Sequence, residues 1–114
     1  MTQATSRTSS AACPAEDSRH LLLFMVIERF RNQDAKAVYR RFERQGRLAP
    51  DGLTYVGSWV EASLDRCFQL MECDDATLLQ QWVAQWSDLV SFEIVPVVSG
   101  KDTAAALSPP RSSD

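Results

Sequence analysis

A chain of 114 residues, 45% hydrophobic and 24% charged, has room for a single domain and excludes a multidomain machine. A net charge of −3, from 12 Lys and Arg against 15 Asp and Glu, argues against a general polyanion binder. Three cysteines and one histidine, without CxxC or HxxxH spacing, exclude a disulfide framework and a structural zinc, and point to a reducing, cytoplasmic setting.

Residues 1–19 are polar, rich in Ser and Thr and without apolar periodicity, and are expected to form a disordered leader. Residues 20–99 carry the folded domain. Leu21–Ile27 is a continuous apolar run that fits a central strand buried on both faces. Glu28, Arg29 and Phe30 follow it where a signal peptide needs a small-residue cleavage site, and its removal would delete the first strand; no span reaches membrane length. Asn32 and Asp34 offer capping oxygens for a helix over Ala35–Gln45 with the stripe Ala35, Val38, Tyr39 and Phe42, and Gly46 is placed to end it. Pro50, Asp51 and Gly52 mark a turn. Strands are expected over Leu53–Glu61 and Arg66–Glu72, joined by a short hairpin connection. Asp74 or Asp75 precedes a second helix with the stripe Leu78, Leu79, Trp82, Val83, Trp86 and Leu89. Val90–Val98 is the last strand, and residues 100–114 are expected to be a disordered tail.

The order strand, helix, strand, strand, helix, strand specifies an α+β, ferredoxin-like βαββαβ domain: a four-stranded antiparallel sheet with two helices on one face. Two helices leave the other face of the sheet uncovered. Alternation along the strands assigns Tyr55 and Trp59 to one face of the second strand, Gln69 and Met71 to one face of the third, and Glu93 and Val95 to one face of the fourth. These mixed sets are expected on the uncovered face, with the hydrocarbon sets, including Phe68, Leu70, Phe92 and Ile94, beneath the helices. A second copy of the chain would close such a face, giving a homodimeric α+β barrel whose interior suits a small apolar or aromatic ligand.

The strings LLLFMVIERF, LTYVGSWV, RCFQLMECDD and WSDLVSFEIVPVV resemble a bacterial domain-of-unknown-function family of small stand-alone proteins, over about residues 21–98. The resemblance implies a ferredoxin-like domain of the dimeric α+β barrel kind and no established activity. Glu28, Trp59, Gln69, Glu72, Trp82, Trp86 and Glu93 are among the residues that match its pattern.

The candidate ligand-binding set is therefore Tyr55, Trp59, Gln69, Met71 and Glu93. Within it, Glu93 is the candidate general base, because a carboxylate between apolar walls has its pKa raised by desolvation. The opposing reading makes it an edge-strand charge that discourages aggregation. Trp82 and Trp86, four apart on an apolar stripe, are expected in the core. Glu28 and Glu72 are expected at strand ends in solvent, Cys67 as a buried inert thiol, and His20 as a bystander at the edge of the leader. Seven basic residues between Arg29 and Arg47 against two acids suggest a solvated face with ion pairs, or an anionic partner. The function these features support is a homodimeric small-molecule-binding module. The alternatives are a cofactor-free enzyme of the monooxygenase, isomerase or lyase type using Glu93, and an interaction protein with a filled sheet interface. No cofactor, metal, membrane or nucleic-acid partner is expected.

Overall fold

Four antiparallel strands in the order β2-β3-β1-β4 build the sheet in a computed structural model that describes residues 21–109. The strands are β1 (Leu22–Phe30), β2 (Thr54–Val60), β3 (Arg66–Cys73) and β4 (Val90–Val97). Helices α1 (Ala35–Gln45) and α2 (Thr77–Trp86) are the two crossovers, and α3 (Gly100–Leu107) follows the last strand. This is the ferredoxin-like α+β fold, with β1 and β3 at the centre of the sheet.

Local chemistry sets the element ends. Asp34 caps α1 by accepting from the Ala37 N–H at 3.1 Å, and Gly46 ends it at φ 74°, its N–H donating to the Phe42 carbonyl. Asp75 accepts from both the N–H and the hydroxyl of Thr77, ordering the turn that leads into α2. Gly52 turns the chain into β2 at φ 94°, and a Cβ there would meet Leu78 Cδ1 at 3.0 Å.

The strand register fixes the two faces. Glu28 pairs with Cys67 and Phe92, Val26 with Gln69 and Ile94, and Phe24 with Met71 and Pro96. That face carries the core: Phe24, Val26 and Phe30 with Met71 and Val90, under Val38 of α1 and Leu79, Trp82 and Trp86 of α2. The opposite face carries Met25 and Ile27 beside Phe68, Leu70, Glu93 and Val95.

Three expectations are corrected. Strand β1 does not stop at Ile27 but runs to Phe30, so Glu28 is mid-strand and buried rather than at a solvated end. Gln69 and Met71 face the helices, and Phe68 and Leu70 face outward, the reverse of the expected assignment. The chain after Gly100 is helical to Leu107, with Ser99 capping the Asp102 N–H, although no residue of α3 is buried. The leader, with Cys13 and His20, lies outside the described residues, as do residues 110–114.

Candidate functional site

Helix α1 is buried where it begins, at Ala35 and Val38, but Tyr39 and Phe42 on the same stripe stay 47% and 40% exposed. Between this open half of α1, the sheet and α2 lies a cavity of about 210 Å³. Its walls are mainly apolar, from Phe30, Val38, Phe42, Trp82, Trp86 and Val90, with Glu28, Arg47, Gln69 and Ser58 supplying polar atoms. A few polar groups converging on apolar walls is the usual character of a small-molecule site.

Those polar groups form one chain of hydrogen bonds. Arg47 Nη1 donates to Gln69 Oε1 at 2.8 Å, and Gln69 Nε2 donates to Glu28 Oε2 at 2.7 Å. Arginine can only donate, so it fixes the orientation of the Gln69 amide and leaves the NH₂ group facing the carboxyl. Burial pushes the Glu28 carboxyl up from its ordinary 4.5 to about 7, against the opposing pull of the Gln69 hydrogen bond and the Arg47 charge. A carboxyl of this kind exchanges its proton near neutral pH. Cys67, opposite Glu28 in the sheet, has its thiol pushed up to about 12 by burial, which keeps it protonated and unreactive.

Arg47 belongs to the segment between α1 and β2 and is held from two directions. The indole N–H groups of Trp82 and Trp86 both donate to its carbonyl, at 3.0 and 2.9 Å. Its guanidinium lies 3.7 Å from the centre of the Tyr55 ring and 5.1 Å from that of Phe42. Trp82 and Trp86 are thus buried and also line the cavity, with Trp82 tilted against Phe92 at 6.0 Å.

The five sequence-derived candidates do not come together. Gln69 lines the cavity, and Tyr55 flanks it through Arg47. Met71 is fully buried in the core beside them and does not line the cavity. Trp59 is 59% exposed on the outer face, and Glu93 is exposed on that face opposite Ile27. A bulge in β2 separates Tyr55 from Trp59: Tyr55 pairs with Met71 and Gly57 with Leu70, so one residue is skipped and the alternation reverses. Tyr55 and Ser58 consequently share a face, their hydroxyls 2.8 Å apart. Glu28 and Arg47 were the residues missed. The parity of Glu28 with Phe24, Val26 and Phe30 was the available signal for the first, and Arg47 carried no signal beyond its charge.

The basic segment is partly consumed by structure. Arg41 forms a two-pronged pair with Asp88, at 2.8 and 2.6 Å, and Arg31 Nε donates to the Ser87 carbonyl, so both tie the region of α1 to the end of α2. Among the described residues no group of three or more His, Cys, Asp or Glu side chains could hold a metal ion, and no helix is long and apolar enough to cross a membrane.

A solved structure similar to this chain is that of an uncharacterized NIPSNAP-like domain protein from Burkholderia xenovorans, with 21% sequence identity and a TM-score of 0.46. The similarity covers 83% of this chain and 98% of that one. No curated protein matches the chain. A family model does match, over residues 22–110, which takes in all four strands and all three helices, and the chain belongs to that family, the Domain of unknown function (DUF3303).

Proposed function

We propose that this protein is a small-molecule-binding module whose ligand occupies the cavity between α1, α2 and the sheet. The observation that carries the reading is the Arg47–Gln69–Glu28 chain, three linked polar side chains from three elements converging on an otherwise apolar space. The test is native mass spectrometry of the full chain as purified from cells. A stoichiometric small-molecule adduct is expected, and it should be lost in Val38→Phe, which fills the cavity from α1. An adduct retained by that variant would place the ligand elsewhere.

The proposal includes a homodimer formed through the outer face of the sheet. Trp59 is largely exposed there, and Met25, Ile27, Phe68, Leu70 and Val95 form a half-buried apolar surface beside it. Covering such a surface with a second copy removes it from water and satisfies the size limit on a domain of about 80 residues. In this arrangement Glu93 belongs to the interface and not to the cavity. The cysteine usage supports a cytoplasmic setting.

A second reading, a cofactor-free enzyme of the isomerase, lyase or monooxygenase type, is favoured by one observation. Glu28, held near pH 7 in the cavity wall, has the properties once expected of Glu93. In this reading Glu28 takes a proton from a bound substrate with an acidified C–H. Deuterium exchange into a bound ketone in D₂O, lost in Glu28→Gln with binding retained, is the outcome that supports it.

A further inference from the structure

Among the described residues, the cation that lines the cavity, Arg47, has no ion-pair partner in contact. Its side chain makes one hydrogen bond among them, to neutral Gln69. Its planar group is stacked on Tyr55, and stacking occupies the face of a guanidinium while leaving its in-plane N–H donors available. The remaining donors therefore lie at a cavity whose other walls are mainly apolar, with Glu28, Gln69 and Ser58 as its further polar groups. Glu28 does not neutralise this charge directly, because Gln69 stands between them.

Size and polarity narrow the ligand further. A cavity of about 150 Å³ accepts benzene. One of about 210 Å³ accommodates a single ring bearing a short chain, or an aliphatic chain of comparable size. A planar monoanion matches one guanidinium edge, whereas a dianionic phosphate would bring a second, uncompensated charge against Phe42, Trp82 and Trp86. An ammonium group would be repelled by Arg47.

From this geometry we infer that the cavity selects a small monocarboxylic acid, its apolar body between Val38, Phe42 and the two indoles and its carboxylate on the free N–H edge of Arg47. The inference rests on the cavity being the ligand site and names the class of ligand it takes. It also sets a proton linkage. The charged and titratable groups facing Glu28 are Arg47 from the α1–β2 segment, Cys67 from β3 and Tyr39 from α1, with Tyr55 of β2 beyond Arg47. Of these Arg47 is the one cation. A bound carboxylate adds a negative charge near Glu28, so binding favours the protonated Glu28 and takes up a proton.

The experiment titrates the full chain at pH 6.5 with 3-phenylpropanoate and, separately, with its neutral isostere 3-phenylpropanamide, by calorimetry and tryptophan fluorescence. The acid is expected to bind about tenfold or more tightly than the amide, a charge-assisted contact against a neutral one. Arg47→Gln should bring the ratio near one while leaving amide affinity little changed, and Arg47→Lys should retain part of the preference. The acid should weaken between pH 6 and pH 8, and Glu28→Gln should remove that dependence. Equal or tighter binding of the amide overturns the carboxylate inference and leaves the cavity standing as a binding site. Failure of both probes overturns the inference. Binding of both that persists in Val38→Phe overturns the cavity reading along with it.

Discussion

Replacing Glu28 with glutamine should make the protein more stable at high pH and leave it nearly unchanged at low pH. The native carboxyl has its pKa at about 7, and the unfolded chain returns it to the ordinary 4.5. Because the native state holds the proton more tightly, stability is full below pH 4.5, falls as pH rises, and levels off above about 7. The gap between the two values, at about 1.4 kcal/mol per pH unit, amounts to about 3 kcal/mol lost by the wild type across that window. Glutamine has no proton to lose and can still accept from Gln69 Nε2, the one side-chain hydrogen bond of Glu28 among the described residues.

The assay is thermal unfolding of wild type and Glu28→Gln at matched protein concentration, from pH 4.5 to 8.5. Every other titrating group is shared, so its contribution cancels in the difference between the two curves. The variant's advantage should grow from near zero to about 3 kcal/mol, which for a domain of this size corresponds to a shift in Tm on the order of 10 °C. Two parallel curves would refute the reasoning, since they would mean that Glu28 titrates alike in the folded and unfolded chains and is not desolvated by the cavity. Gln69→Met supplies an internal check. It removes the hydrogen bond that favours the ionised form, so the midpoint of the native titration should move above 7.

The other predictions address the scaffold around the site. Gly52→Ala should cost about 1–2 kcal/mol in urea unfolding, from the left-handed backbone at φ 94° and the approach to Leu78 together, and a neutral result would show that the turn relaxes freely. Trp59→Glu should convert the proposed dimer to a monomer by light scattering while leaving the far-ultraviolet circular dichroism intact, and a dimer of unchanged affinity would remove the outer face from the interface. Cys67 should resist alkylation by iodoacetamide at pH 8 in the folded chain and react after unfolding, as read by peptide mapping, and rapid labelling of Cys67 itself in the native protein would contradict its burial. Trp82→Phe and Trp86→Phe each remove one of the two donors to the Arg47 carbonyl, and the double variant removes both. The double loss should exceed the sum of the single losses by about 1 kcal/mol, because only then is the carbonyl left without a partner, and strict additivity would show that water replaces the indoles.

Why the fold was legible in the sequence and the site only partly so comes down to two residues of β2 and one of β1. Helix α1 falls on its expected span because Asp34 and Gly46 are strong end signals flanking a stripe at helical spacing. The hairpin of β2 and β3 and the second helix follow the same kind of local punctuation. Faces are a different matter, since they depend on unbroken parity along each strand. At Val56 and Gly57 the β2 strand sets two residues against Leu70, and nothing in the alternation of TYVGSWV marks the slip. Trp59 thereby keeps its expected place on the outer face, while Tyr55, expected beside it, turns inward with Ser58. In β3 both faces are amphiphilic, and the hydrocarbon pair Phe68 and Leu70 looks like the natural core. The inward face carries Gln69 instead, which is tolerable only because Arg47 and Glu28 satisfy both ends of its amide. Recognising that required β1 to continue past Ile27, against the reading of Glu28 as a charge that ends a buried strand. A buried polar network is invisible to hydropathy because each member looks misplaced by itself and becomes stable only in the company of the others. The same interdependence gives the cavity its chemistry: the groups that make Gln69 permissible in the core are the cation and the proton carrier that a ligand would meet there.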